Sequence, residues 1–223
     1  MRMKHGCRIA VVALALAVPG DSSAQGLADY DYENLSFRGV GADWGYIWPN
    51  KADATSMYSM RVDLGFLGPS IRMMPGVHYW NSKLKRSEVA RVAARLSELP
   101  SLQASGVIID ADDLGEIEWS AISVTLDAHA VWTAPYRVFT FIGLGVGLHA
   151  MNGSGASIED TFIEDLLDTV APGVAVMGGI EYEPTPSLRL YGEGRYTVQS
   201  EVRYPGLRLG AAIMIPNRTG GQP

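Results

Sequence analysis

The chain has 223 residues, of which 47% are hydrophobic and 19% charged, and its formal net charge is −6. These proportions exclude a disordered polypeptide, and the lack of a basic excess argues against nucleic acid as a partner. Beyond residue 20 no apolar run is long enough for a transmembrane helix. High apolar content without long apolar runs is typical of β-strands, so we expect a chain built mainly from strands.

The first 24 residues have the pattern of a secretory signal peptide. Basic residues precede an unbroken apolar run at 9–18, and small residues at 22–24 predict cleavage after Ala24. Ten apolar residues are too few for an anchoring helix, which needs about 20. Cys7 lies before the apolar run, so we expect no lipoprotein signal, and the exported protein would carry no thiol.

Period-two alternation of apolar and polar residues runs through the rest of the chain. It is clearest at 120–132, where Ile122, Val124 and Leu126 lie on one face and Ser123 and Thr125 on the other. We predict eight strands of about ten residues or slightly more. The other seven segments with this alternation are 36–46, 57–67, 70–80, 137–150, 173–183, 188–198 and 207–215.

The lengths of the connections predict how these strands are arranged. Short turns at 67–70, 133–136 and 183–186 alternate with longer connections at 47–56, 81–115, 152–171 and 199–204. Short turns at one end and long loops at the other are typical of an outer-membrane barrel, whose short turns face the periplasm. The sequence thus predicts an all-β fold, an eight-stranded antiparallel up-and-down transmembrane β-barrel with two helical loop insertions. We assign it to 35–216, after a periplasmic segment at 25–34 and before a tail at 217–223.

Aromatic residues fall near both ends of the predicted strands. Because amphipathic rings favour both membrane interfaces, two aromatic belts around aliphatic residues are typical of a membrane barrel. Trp119 has the wrong parity for the lipid face, which indicates either a bulge or a residue that caps the lumen. The long-loop belt is predicted to contain Trp44, Tyr46, Tyr58, Tyr79 and Tyr196, and the short-turn belt Phe66, Trp132, Tyr136 and Tyr182.

The segments 180–184 and 188–196 look like a penultimate barrel hairpin. With them, nearly the whole chain after residue 24 resembles the small bacterial outer-membrane β-barrels, the OmpA/OmpX-type eight-stranded domains. The resemblance implies this fold and a place in the cell outer membrane. Such barrels often end on an aromatic residue, whereas here the last strand ends near Ile215 and a tail follows.

A soluble periplasmic barrel of the lipocalin or avidin type is the rival architecture. It would turn apolar residues inward and polar residues outward, and the alternation alone is the same in both cases. The two aromatic belts and the glycine-rich face with Gly143, Gly145 and Gly147 favour the membrane form.

Charged residues dominate the face predicted to line the lumen. The interior of an eight-stranded barrel is just wide enough to be filled by side chains, so we favour a packed ion-pair network over a narrow polar pore. Asp43 and His78 also lie on this face. The network is predicted to contain Arg61, Asp63, Arg72, Asp127, His129, Glu181, Arg189, Glu193, Arg195 and Arg208.

Motifs for catalysis or for binding metals and cofactors are weak. A lipid A deacylase would need a serine two residues after a histidine, but Met151 occupies that place after His149, and Ser154 follows later. The acidic run at 110–116 has Leu114 where a calcium loop needs an oxygen ligand. We therefore predict no catalytic residues, no cofactor and no metal.

Two long loops contain helical periodicity with opposite charge. The stripe at 86–99, with Ser87 placed to cap its start, is basic, and the stripe at 157–170 is acidic. Either the two helices rest independently on the loops, or they pack together as a lid over the outer mouth, since we expect neither loop to supply a core of its own. The lid would pair Leu96, Leu99, Arg91 and Arg95 with Phe162, Leu166, Glu164 and Asp165.

The functional prediction is a non-enzymatic outer-membrane barrel with a plugged polar lumen. It would serve envelope structure or contacts with outer-membrane lipid, lipopolysaccharide or another surface partner. The alternatives are a narrow pore for small polar or hydrophobic solutes and, with a different fold, the soluble lipocalin-like binding barrel. A lipid A-modifying enzyme is less favoured than either.

Overall fold

The computed structural model describes residues 30–98, 110–155, 168–200 and 202–215. The predicted signal peptide, the tail at 217–223 and nearly all of the predicted helix at 157–170 lie outside these residues. So do Leu99, Phe162, Glu164, Asp165 and Leu166 of the predicted lid.

One antiparallel sheet closes on itself as an eight-stranded barrel. Nine strands are numbered because the second barrel strand is interrupted and consists of β2 and β3, which both pair with β4. The barrel closes because β1 pairs with β2 on one side and with the last strand on the other. The predicted eight-stranded antiparallel barrel is therefore confirmed. The strands are β1 Gly39–Ile47, β2 Thr55–Asp63, β3 Phe66–Gly68, β4 Ile71–Lys83, β5 Glu118–Ala134, β6 Val138–Ser154, β7 Thr169–Thr185, β8 Leu188–Gln199 and β9 Arg203–Met214.

The second barrel strand is interrupted between Asp63, the end of β2, and Phe66, the start of β3. Gly65 has a φ of +75°, a conformation that favours glycine, and its N–H donates to the Asp63 carboxylate at 2.7 Å. The interruption shifts the parity of the following residues, so Phe66 packs against the lumen residues Val131 and Phe141. The placement of Phe66 in the lipid-facing belt is therefore wrong.

Short turns and longer connections alternate as predicted except between β8 and β9, where only 200–202 connect the strands, as few residues as in the turn between β5 and β6. The three-residue turn at 135–137 between β5 and β6 has Tyr136 and Arg137 at φ of 65° and 60°, both in the left-handed region. The connections between β1 and β2, β4 and β5, β6 and β7, and β8 and β9 all lie at the opposite end. The short-turn end thus corresponds to the periplasmic end of an outer-membrane barrel.

Apolar side chains cover the outside of the barrel. Along β6, Ile142, Leu144, Val146 and Leu148 all point outward, and Leu144 is 68% exposed. Beyond them toward the long loops the outward positions become polar, ending at Ser154. An apolar band bounded in this way is typical of a lipid-facing wall, and a soluble barrel would need the opposite orientation.

The described part of the connection between β4 and β5 contains two helices, α1 Arg86–Ser97 and α2 Ala111–Leu114. Leu96 on the apolar face of α1 packs in one cluster with Leu114 and Ile117 of the same connection. The premise that this loop lacks its own core is therefore wrong. Lys85, not Ser87, occupies the N-cap position of α1. Neither helix is long and apolar enough to cross a membrane, nor is any other helix in the described residues.

Leu144→Arg tests the outward band. In a membrane, a charge at this lipid-facing position should destabilise the barrel by about 2–4 kcal/mol, because arginine is costly near the bilayer midplane. Urea unfolding in phospholipid vesicles measures the effect. Ser154→Arg, at the polar end of the same strand, is the matched control with little expected effect. Equal stability of the two variants would contradict a lipid-facing wall at Leu144.

Candidate functional site: the barrel lumen

The lumen is filled in three layers, which can be followed along the inward positions of β5. Trp119 and Ala121 belong to an apolar cluster near the long loops. Asp127 and His129 lie in a polar layer in the middle of the barrel. Val131 belongs to a second apolar cluster toward the short turns. Along β5 the charged positions thus lie between two apolar clusters. On β7 and β8, by contrast, Glu183 and Arg189 extend the charges toward the short turns.

The apolar cluster near the long loops, which we call the outer cap, closes that end of the lumen. Trp80 is fully buried in it, and its ring meets the ring of Tyr204 edge to face with centroids 6.0 Å apart. Trp119 is 4% exposed in the same cluster, so its unexpected parity reflects a capping position. The other members are Ile47, Met57, Ala121, Met151 and Val202.

Three arginines and two carboxylates form the centre of the polar layer. Glu193 accepts from Arg208 Nε at 2.9 Å and from Arg61 Nη1 at 3.2 Å. Asp127 accepts two hydrogen bonds from Arg195, at 2.6 and 3.0 Å. All five side chains are nearly inaccessible to solvent. Asp43, 3.8 Å from both Arg61 and Arg208, supplies the third negative charge, so every charge in this layer has an opposite charge on another strand, which makes its burial tolerable.

A second ion-pair group lies closer to the short turns. Arg72 Nη1 donates to Glu181 at 2.8 Å, and Arg189 Nη1 donates to Asp63 at 3.1 Å. Arg189 also lies 3.5 Å from Glu181, so the two pairs are linked. His129 stacks on Phe141 with ring centroids 4.4 Å apart and completes this side. The structure thus brings all ten predicted lumen residues into the interior.

Tyr191 joins the central group, although its role was not anticipated from the sequence. The guanidinium of Arg61 lies 3.4 Å above the centroid of its ring, and its hydroxyl donates to Asp43 at 3.0 Å. Its alternation parity already placed it on the inward face. An inward tyrosine among charged residues can stack on an arginine and donate to a carboxylate at the same time. The inward parity of Tyr191 was therefore the feature of the sequence that could have indicated its role.

Two of the lumen histidines, His78 and His149, form hydrogen bonds with hydroxyls. His149 Nδ1 and Ser123 Oγ are 2.6 Å apart, and His78 Nε2 and Thr125 Oγ1 are 2.9 Å apart. Ser154 lies outward on the exposed end of β6 and does not accompany His149. The Ser123–His149 pair lies in the lumen next to the outer cap, and both residues are almost fully buried. This position gives a lipid ester no access to the hydroxyl.

Glycines on β6 make room for the ion pairs. A Cβ on Gly145 would lie 2.2 Å from Asp127 Oδ1 and 3.1 Å from a nitrogen of Arg195. The inward glycines Gly143 and Gly147 lie in similarly close contact with side chains of β5. The glycine-rich face therefore points into the lumen, where it allows the charged side chains to occupy the space.

The belt residues other than Phe66 lie on the outside of the barrel. Trp44, Tyr58 and Trp132 are large exposed aromatics on three different strands. Tyr136 lies in a short turn and is 92% exposed, so it projects farther than the others. The remaining members are Tyr46, Tyr79, Tyr182 and Tyr196, all also exposed.

The acidic run at 110–116 is occupied by capping and ion pairs. Asp110 and Asp113 form the capping box of α2, and Asp112 pairs with Arg86. On α1, Arg91 donates to Glu88 at 2.8 Å and Arg95 is exposed. Among the described residues, no group of three or more His, Cys, Asp or Glu side chains could hold a metal ion.

Comparisons with known proteins agree with this architecture. No protein-family model and no curated protein matches the sequence. The crystal structure of Neisserial surface protein A matches with a TM-score of 0.53 and 15% identity, over 81% of this chain and 99% of that one. The N-terminal β-barrel domain of Pseudomonas aeruginosa OprF matches with a TM-score of 0.48 and 8% identity, over 81% of this chain and 99% of that one. Yersinia pestis Ail in complex with the heparin analogue sucrose octasulfate matches with a TM-score of 0.48 and 9% identity, over 80% of this chain and 97% of that one. The likeness to Neisserial surface protein A shows the fold, an eight-stranded barrel of the outer-membrane type.

Removing one member of the Arg195–Asp127 pair should destabilise the barrel strongly. We expect Asp127→Leu to cost about 3–5 kcal/mol, because Arg195 is left as a buried charge with a lost partner. The double variant Asp127→Leu/Arg195→Met removes both charges and should recover much of the loss. Urea unfolding in vesicles measures both. Additive losses in the double variant would show that the two residues are not coupled.

Gly145→Ala should destabilise the barrel by about 1–3 kcal/mol, because the added Cβ displaces the Asp127 carboxylate from its bidentate contact. Gly194→Ala, whose Cβ points outward with its nearest atom 3.6 Å away, is the control. Unfolding of the two variants under identical conditions measures the difference. A loss no larger than that of the control would contradict the steric role of Gly145.

Proposed function

We propose that this protein is a non-enzymatic outer-membrane barrel with a plugged lumen, serving envelope structure or surface contacts with lipopolysaccharide. The observation that carries the proposal is the filling of the lumen by the outer cap and the ion-pair network. A channel needs a continuous path for water, whereas here Trp80 and Ile47 are fully buried at one end and Arg72 is nearly so toward the other. A filled lumen leaves the outer wall and the loops as the surfaces available to partners.

The outer wall supports the membrane part of the proposal. Its apolar band and exposed aromatic residues match what a bilayer requires of a barrel. The loop surface supports contact with anionic groups, since the exposed Arg95 on α1 lies beside Arg91, whose side chain is 57% exposed even while paired with Glu88. Phosphates of lipopolysaccharide are suited to such guanidinium groups.

Planar bilayer recordings test the plugged lumen. The wild-type protein should show no steady conductance, because the side chains exclude a continuous water path through the eight-stranded barrel. The control is a porin reconstituted in the same bilayer. A steady conductance that changes in Arg61→Ala or Arg195→Ala would support the pore and overturn the proposal.

Lipid A analysis tests for the absence of an enzymatic role. Cells that express the protein should contain lipid A of unchanged mass, because the Ser123–His149 pair is buried in the lumen. A mass shift caused by loss of an acyl chain, present in wild type and absent in His149→Ala, would contradict the proposal.

A further inference from the structure

The outer wall across β1, β9, β8 and β7 contains a groove of about 490 Å³. Its floor is formed by Gly178, Gly192 and Gly194, which occupy outward positions on β7 and β8. Gly178 and Gly194 pair directly across the two strands, so the small residues are adjacent. The groove therefore results from missing side chains in a wall that is otherwise covered by large apolar residues.

The space above Gly178 and Gly194 is open, whereas a Cβ on Gly192 would meet Leu209 Cδ2 at 3.2 Å. A Cβ on Gly194 would meet its nearest heavy atom at 3.6 Å and one on Gly178 at 3.4 Å, both ordinary contacts. The inward Gly179 differs, because its Cβ would clash with the backbone of Gly192 at 2.3 Å. Steric crowding therefore does not explain why Gly178 and Gly194 are glycines, whereas it does explain Gly179.

Apolar and aromatic side chains form the sides of the groove. Trp44 and Tyr46 on β1 bound one side and Ile180 on β7 the other, with Leu207 and Leu209 of β9 between them. At the end near the long loops, Tyr46 meets Trp48 edge to face. A narrow apolar groove in a lipid-facing wall fits a hydrocarbon chain, and its side chains offer no hydrogen-bond partner to a polar group.

A cation lies beyond the outer end of the groove. The outward row of β9 runs from Leu209 through Leu207 and Pro205 to Arg203, which is exposed. Trp48 N–H donates to the Pro205 carbonyl at 3.1 Å, so Arg203 is one outward position past the aromatic level. Four residues of strand put it about 13 Å from Leu207, where an outer-leaflet headgroup would lie.

We propose that this groove holds one saturated acyl chain of a lipid A molecule and that Arg203 binds a phosphate of the same molecule. The inference rests on the proposed outer-membrane location, with the long loops outside. That orientation puts the groove in the leaflet where lipid A supplies both saturated chains and phosphates. The apolar groove complements the acyl chain and the Arg203 guanidinium complements the phosphate, at a spacing that one amphipathic molecule can span.

Native mass spectrometry of the full-length protein in detergent, with hexa-acylated lipid A added, tests the proposal. Wild type should retain one lipid A. In Gly194→Leu the leucine fills the groove without a backbone clash, and retention should fall roughly tenfold or more, an effect on the scale of a displaced apolar group. Arg203→Gln should lower it by about 3–10-fold through loss of a charge-assisted hydrogen bond. Ala128→Leu, an outward small residue on the opposite wall, is the matched control with unchanged retention.

Three results would overturn the proposal. One is retention in Gly194→Leu equal to that in Ala128→Leu. Another is equal retention of phosphatidylglycerol with no effect of Arg203→Gln. The third is a barrel dimer that Gly194→Leu dissociates, since the groove would then hold a second copy of the chain. Conductance by the wild type would overturn the plugged lumen but would not change lipid retention, so the two proposals fail separately.

Discussion

Pairing of buried charges in the lumen is the interaction on which the rest of the structure depends. The part of the outer face that contacts lipid must be apolar, so the alternation of the strands places the polar side chains at this level inside the barrel. Inside, Glu193 bonds Arg208 and Arg61, while Asp127 bonds Arg195. These contacts join side chains of β2, β5, β8 and β9. They hold opposite walls of the barrel together where a soluble protein would use a hydrophobic core.

The two apolar ends strengthen this arrangement. They keep water from the central ion pairs, and a low local dielectric strengthens each of these hydrogen bonds while making any unpaired partner more costly. The inward glycines of β6 have a related role, because Gly145 leaves the space in which Asp127 and Arg195 meet. The glycines and the charged residues of the lumen therefore depend on each other, because the ion pairs fit only where a neighbouring strand has no side chain.

The sequence was sufficient for the barrel and its lumen because period-two alternation is a local property. Each inward charge could be assigned from its parity, but parity does not identify partners, which depend on register across strands. Phe66 was misplaced because the break at Gly65 shifts the parity by an amount that no local pattern reveals. The packing of Leu96 on Leu114 and Ile117 was missed because it joins residues separated by the length of a loop.

Unequal strand lengths give the barrel an uneven outer rim. β5, β6 and β7 have 17 residues each, whereas β1 has nine and β8 and β9 have 12. Eight additional residues extend a strand by about 26 Å along its axis. Part of this difference lies at the long-loop end, where β6 continues three residues past its last pair with β7 and β7 four residues past its last pair with β8. In the proposed outer-membrane orientation, a bulky headgroup would meet less of the barrel wall beside β1 and β9 than beside β5 and β6.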